Sequence, residues 1–350
     1  MKLRKLHIED YKMFKDFDIS FVDENDEALP IVVLAGVNGS GKTTLLESIK
    51  PFKFSTQSLS ADLDKDGLVL KLKNTGGSAF SSSGELNKYY PNANVTDTII
   101  YFPASVNQLQ DIEIKIVEEY IKTAEKIDSF KKALKSLQDK IDDIFIGLDI
   151  GFRVSRVDYN QKKVFLSNID DDREFGMDTL STGEKTLLSK VLLLYFGEYQ
   201  EKIILIDEPE LSLHPSWQNK VLKLYENFAL KNNCQIIIAT HSPHIIGSAK
   251  NEYLRFLRKD DEGNIEVVDN ITAYGRDIEW ILEEMGVADT RLPKITKRFE
   301  EIQELINSEE FDKADDALDK LEYVIGDNDR AILALRNDLA FERMDFEEDK

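Results

Sequence analysis

The chain has 350 residues, 42% hydrophobic and 32% charged, a balance that indicates a globular protein long enough for about two or three domains. It contains no run of about 18 apolar residues that would span a membrane, and its N-terminus has no signal-peptide core. The single cysteine, Cys234, excludes an intrachain disulfide and a cysteine-rich metal site, so the expected location is the cytoplasm. The formal charge is −21, with 23 Asp and Glu against 11 Lys and Arg in residues 271–350, a net of −12 that leaves −9 on the first 270 residues. That balance argues against a wrap-around basic surface for nucleic acid, while leaving room for a local basic patch formed on dimerisation.

Residues 1–35 predict strands: Leu3, Leu6 and Ile8 keep an apolar rhythm, Phe17, Ile19 and Phe21 alternate, and Ile31 to Leu34 form a short buried run. A glycine-rich turn then leads into a helix from Thr43 to Ile49. Residues 53–98 are rich in Ser, Gly, Asn and Asp and predict a loop-rich insertion with one strand at 67–73, followed by a buried strand at 99–104. The charged stretch from Asp111 to Asp142 predicts an amphipathic helical lobe within residues 105–150, too short for a long coiled-coil arm. Residues 151–168 predict a hairpin turning at Asn160 and Gln161. Beyond it, helix 184–199, strand 202–206, helix 215–231 and strand 235–239 indicate a parallel sheet flanked by helices. Residues 276–344 predict helix almost throughout.

The strongest motif is Gly36-Val-Asn38-Gly39-Ser40-Gly41-Lys42-Thr43, with Thr44 following, between a buried strand and a helix. Glycines let backbone N–H groups turn inward around phosphates, and Lys42 can reach the β- and γ-phosphates. The Thr43 hydroxyl can ligate Mg²⁺, and the helix N-terminus adds partial positive charge. ATP and Mg²⁺ are therefore the expected cofactors. Asp207 and Glu208 follow four apolar residues, at the C-terminal end of a strand, where a parallel sheet places its ligand. Asp207 is suited to hold Mg²⁺ and Glu208 to polarise the attacking water as general base. Ser181-Thr-Gly183-Glu184 lies 26 residues before Asp207. It reads as a helix cap and also as a second anion site, facing away from the chain's own P-loop. Two copies related by a two-fold axis could each supply one half of a shared ATP site. His241 ends a further buried strand, positioned to hydrogen-bond the γ-phosphate. Glu210, Ser212 and His214 belong to a turn after Glu208 that positions the carboxylate and meets the partner subunit. The four histidines have no metal-ligand spacing.

In this order, GVNGSGKT, LSTGEK, ILIDEPE and THSP resemble the ABC-type ATPases of the SMC, RecF and OLD group, over residues 1–258. The opening Ile8-Glu-Asp-Tyr-Lys12-Met-Phe14 is similar to that group's start, and the sequence after Glu208 is unlike that of membrane transporters. The resemblance implies an α/β P-loop NTPase of the ABC ATPase head type, with a helical lobe and a C-terminal helical extension. It makes Ser212 part of the D-loop and His241 the switch histidine. The Q-loop glutamine stays open among Gln108, Gln110 and Gln57. OLD-type nucleases append a TOPRIM domain, for which residues 271–350 offer no strand-rich pattern, so no nuclease activity of the chain's own is expected.

Instead, Thr272-Ala-Tyr274-Gly275-Arg276-Asp277, then ILEEMGV and Arg291, resemble the tail of PtuA-type ATPases from Septu and retron anti-phage systems, which act beside an HNH nuclease, PtuB. The expected organisation is an ATPase domain over residues 1–270 and an acidic helical interaction region over 271–350. The implied function is an ATPase that dimerises around ATP and regulates an HNH nuclease partner in phage defence. The alternative is an SMC- or RecF-like ATPase that binds DNA in repair or maintenance.

Overall fold

Six strands form the sheet that carries the glycine-rich turn. The computed structural model describes residues 1–50, 57–64, 67–74, 98–104, 109–148, 150–171, 173–197, 199–268, 271–287 and 291–348. It divides into two compact units, Met1–Gly286 and Val287–Lys350.

In the first unit, β3 (Ile31–Ala35), β6 (Ile99–Phe102), β10 (Ile203–Asp207), β11 (Gln235–Thr240), β12 (Leu254–Lys259) and β13 (Ile265–Val268) lie in the order β13-β12-β3-β11-β10-β6. All neighbours are parallel except the β12–β13 pair. The central strands β3, β10 and β11 are buried at every residue, as their unbroken apolar runs require of a sheet covered on both faces. Helices α1 (Lys42–Ile49), α4 (Thr182–Phe196) and α5 (Pro215–Asn232) belong to this layer. The β12–β13 hairpin was not apparent in the sequence, because Arg255 interrupts its apolar pattern. That side chain reaches back to the carbonyls of Ser20 and Val22 at 2.7 and 2.8 Å.

A second sheet has the order β2-β1-β5-β4, from β1 (Lys2–Tyr11), β2 (Phe14–Ser20), β4 (Gln57–Asp64) and β5 (Gly67–Asn74). The insertion thus contributes two strands where one was expected. Gln57–Asp64 alternates Leu59, Ala61 and Leu63 with Ser and Asp, a composition that disguises a strand as a loop. Within the insertion, residues 53–56, 65–66 and 75–97 lie outside the described residues. Buried Gln235 connects the two sheets: its amide accepts from Leu3 N at 2.6 Å and donates to Leu3 O and Leu29 O at 2.9 and 3.1 Å.

The lobe consists of α2 (Leu109–Ile127) and α3 (Phe130–Ile144). They are separated by Asp128 at φ 52° and by Ser129, whose side chain caps α3. Strands β7 (Phe152–Asp158) and β8 (Lys163–Asn168) form the hairpin, with the Asp158 carboxylate accepting from Asn160 N and Gln161 N. A third strand, β9 (Glu174–Gly176), extends it.

After α6 (Pro243–Ser248) and the β12–β13 hairpin, α7 (Ile278–Glu284) completes the first unit. Residues 271–286, which charge groups with the tail, belong to this unit. Ala273 and Ile281 are buried there, Gly275 N donates to Gly247 O at 2.9 Å, and a Cβ on Gly247 would meet Ile281 at 2.8 Å. The second unit is α8 (Pro293–Asn307), α9 (Phe311–Ile325) and α10 (Arg330–Glu348), around Ile302, Ile306, Leu318, Leu321, Ile332 and Leu335. Arg336 ties α10 to Asp315, Asp319 and Glu322 of α9.

Candidate functional site

The site lies at the C-terminal ends of β3, β10 and β11. Between β3 and α1 the chain turns through Gly36, Gly39 and Gly41, at φ 149°, 82° and 88°. Gly39 and Gly41 lie in the left-handed region open to glycine. A Cβ on Gly36 would sit 2.5 Å from Leu257 O, and one on Gly41 would sit 2.9 Å from the Phe14 ring. The cradle is therefore closed on its outer side by β12 and by the start of β2. Asn38, Gly39 and Thr43 are exposed, whereas Ser40 and Lys42 are buried and Thr44 is half-buried.

Lys42 folds over the loop, donating to Gly36 O and Val37 O at 2.8 Å each. Burial holds its ammonium below the ordinary lysine range, against the opposing charges of Glu208, Glu210 and Asp207. The Thr43 hydroxyl donates to Asp207 Oδ1 at 3.0 Å, and Tyr101 OH reaches Asp207 Oδ2 at 3.4 Å. Burial raises the Asp207 carboxyl, and the Thr43 hydrogen bond opposes it. One hydroxyl and one carboxylate beside a phosphate-sized cradle fit Mg²⁺, which takes a few protein ligands and completes its octahedron with water and phosphate oxygens. Thr43 and Asp207 are the residues that would hold it.

Glu208 follows at φ 43°, a conformation that costs a non-glycine residue about 1–3 kcal/mol and persists only where its surroundings hold it. His241 Nδ1 lies 3.1 Å from Glu208 Oε1. Glu210 is buried: its Oε1 accepts from the Thr240 hydroxyl at 2.6 Å and from His241 N at 3.1 Å, while its Oε2 is buried without a hydrogen-bond partner. The turn continues through Ser212 at φ 66° to His214, whose ring caps α5 by accepting from Ser216 N at 3.3 Å. Gln218 of α5 donates to Leu213 O and accepts from the Ser242 hydroxyl.

Lys190 of α4 had gone unread within the apolar run LLSKVLLLYF. Its side chain is buried and donates to Asp207 O at 3.0 Å and Glu208 O at 2.7 Å. Burial pushes its pKa down to about 8, against the charges of Glu210, Asp207 and Glu208. A lysine beside Ser189 within the apolar run Leu187–Phe196 was the sign of it.

Gly36 to Thr44, Asp207, Glu208 and His241 thus gather at one sheet edge. Ser181, Gly183 and Glu184 do not join them. Ser181 and Glu184 form a capping box at the start of α4: the Ser181 hydroxyl donates to Glu184 Oε2 at 2.6 Å and accepts from Glu184 N at 3.3 Å. Gly183 lies against the turn after Glu208, since a Cβ there would be 2.5 Å from Ser212 O. Of the Q-loop alternatives, Gln110 lies in the first turn of α2 and lines a cleft of about 580 Å³ with Lys163, Phe165 and Asp178. Gln57 falls in β4, and Gln108 lies outside the described residues.

The chain is 27% identical over 361 residues to a Septu protein PtuA from Bacillus thuringiensis, covering 84% of this chain and 88% of that one. It is 22% identical to the Retron Vc95 probable ATPase of Vibrio cholerae, covering 75% and 74%. Among solved structures, an SMC head domain from Thermotoga maritima aligns with TM-score 0.47 and 18% identity, over 78% of this chain and 100% of that one. The AAA ATPase domain model matches residues 1–114 and 92–246. With its largely parallel sheet and the glycine-rich cradle at the strand ends, the chain belongs to the AAA ATPase domain family.

Proposed function

We propose that this chain binds ATP with Mg²⁺ in the Gly36–Thr44 cradle and hydrolyses it between two copies of itself, and that the cycle regulates an associated effector nuclease in phage defence. The observation that carries the reading is the Thr43–Asp207 contact at the mouth of the cradle, with Glu208 and His241 beside it. When bound, Mg²⁺ neutralises phosphate charge and orients the γ-phosphate. Lys42 exchanges its bonds to Gly36 O and Val37 O for phosphate oxygens. Glu208 accepts a proton from the attacking water, and His241 donates to the γ-phosphate. The separate cap at Ser181 and Gly183 supports a second copy completing the site, its hydroxyl leaving Glu184 for the partner's nucleotide.

The similarity to Septu PtuA and to a retron ATPase supports the defence role, and the HNH nuclease partner rests on the resemblance of the segment from Thr272 to Arg291 to PtuA-type tails. The charge of −21 disfavours the alternative of direct DNA clamping. Light scattering of the protein alone and co-expressed with its genomic neighbour, with and without ATP, tests the reading. A stable complex with an HNH protein, lost when residues 287–350, the part of the 271–350 region outside the first unit, are deleted, is the expected result. An ATP-dependent dimer without a partner, binding DNA with steep salt dependence, would favour the DNA-maintenance reading.

A further inference from the structure

Lys190 occupies an unusual place for a lysine. It is the ninth residue of α4, in a helix whose other buried side chains include Leu187, Leu188, Val191, Leu192 and Leu194. Its ammonium terminates on two consecutive backbone carbonyls, those of Asp207 and Glu208. Burying a charge in this way is unfavourable unless the charge is hydrogen-bonded and opposed. Both conditions are met, the second by Glu210, Asp207 and Glu208. An apolar residue would fill the same space without that requirement, so packing alone does not account for the ammonium.

The two carbonyls bracket the point where the chain leaves β10 and enters the left-handed conformation at Glu208. On the opposite side, Glu208 N donates to Ala239 O at 2.8 Å, fixing that peptide to β11. The Glu208 backbone is thus held from two sides, by β11 through its N–H and by α4 through its carbonyl. Helix α4 begins at the Ser181 cap, and its Gly183 rests on Ser212 of the same turn.

We propose that Lys190 is a positioning residue for Glu208: it holds the strained Glu208 backbone from α4, and so couples the Ser181–Glu184 end of that helix to the carboxylate that activates water. A displacement of α4 when a nucleotide engages its N-terminus is transmitted through one side chain to the backbone carrying the general base. The inference rests on the ATPase reading and on Glu208 as the base.

The test is steady-state and single-turnover ATP hydrolysis by the full-length protein. Lys190→Met keeps the length of the side chain and removes the donor. The expected result is a kcat lowered about 10- to 100-fold, with KM for ATP within about twofold of wild type, because small displacements of a reacting group cost rate rather than affinity. In a Glu208→Gln background, adding Lys190→Met changes the residual rate by less than about twofold, since a residue acting through another contributes nothing once that one is removed. Losses that multiply in the double variant, or a raised KM at unchanged kcat, would overturn the proposal.

Lys190→Met also removes one of the two ammonium groups, with that of Lys42, that oppose Glu210, so Lys190→Met/Glu210→Gln is the companion variant and carries the measurement if the single one does not fold. It should recover thermal stability while kcat stays low. Recovery of kcat together with stability would show Lys190 to be a charge partner only. A wild-type chain that binds ATP without turning it over would instead overturn the ATPase reading itself.

Discussion

The Thr43 hydroxyl and the Asp207 carboxylate meet at 3.0 Å although 164 residues separate them. The contact joins the first turn of α1 to the end of β10 and leaves the pair at the open side of the cradle. Thr43→Ala should raise the Mg²⁺ concentration for half-maximal hydrolysis about tenfold, as expected for losing a single ligand or its orienting partner, and leave metal-free nucleotide binding unchanged. Titrating activity with MgCl₂ checks this. Unchanged metal dependence would remove Thr43 from the site.

Lys42 is held by loop carbonyls, so Lys42→Ala should abolish ATP binding by calorimetry. Glu208→Gln should bind ATP as wild type does, yet lower kcat by about 10²–10⁴-fold, the usual contribution of a general base, and accumulate an ATP-bound dimer. Wild-type turnover by Glu208→Gln would remove Glu208 from that role.

The two halves of a shared site can be separated genetically. Ser181→Arg should leave ATP binding intact and lower hydrolysis at least about 100-fold, as loss of transition-state stabilising donors does. Lys42→Ala should be inactive for a different reason. Mixing the two variants restores one complete site in each mixed dimer, so activity should reappear in the mixture. A mixture as inactive as its components would argue against a site composed by two copies.

Much of this was legible in the sequence because the chemistry constrains it. The turn from β3 to α1 needs residues without Cβ where Leu257 O and Phe14 press on it, and the glycines announce it. Asp207 and Glu208 stand out because charge follows four apolar residues. Lys190 and the buried role of Glu210 were not legible, since the first depends on α4 reaching the end of β10 and the second on Thr240 and His241 at the end of β11, tertiary relationships that leave no periodic trace. Strand β4 was hidden by its Ser and Asp residues, and β12 by Arg255, whose half-buried side chain reaches carbonyls some 235 residues earlier in the chain. The Ser181 segment reads both as a helix start and as a ligand site, and the structure shows its capping box.

Glu226 of α5 gives a stability prediction away from the site. Burial would raise its carboxyl, but hydrogen bonds from Lys223, Lys250 and Tyr253 outweigh it and bring the pKa down to about 2. A folded-state value below the unfolded one of about 4.3 means stability fully present above that pH and lost as pH falls toward 2. Glu226→Gln should therefore destabilise the protein by about 1–3 kcal/mol at pH 7. The gap from wild type should narrow steadily below about pH 4. Urea unfolding at a series of pH values checks this, and a gap independent of pH would mean that packing rather than charge is lost.

The limits of the ATPase unit can be located by truncation. Charge places the start of the tail at residue 271, whereas the first unit continues to Gly286. Removing residues 287–350 retains Ala273, Ile281 and Met285, which are buried in the intact chain. Removing 271–350 strips Ala273, Arg276 and Ile281 from Gly247 and deletes the Gly275–Gly247 hydrogen bond. The longer form should keep wild-type thermal stability and ATP binding. The shorter one should lose about 3 kcal/mol or more, the scale of emptying one large apolar site, and melt on the order of 5–10 °C lower. Calorimetric melting of both truncations decides the boundary. Equal melting temperatures would mean that residues 271–286 contribute nothing to the ATPase core and belong functionally with the helices that follow.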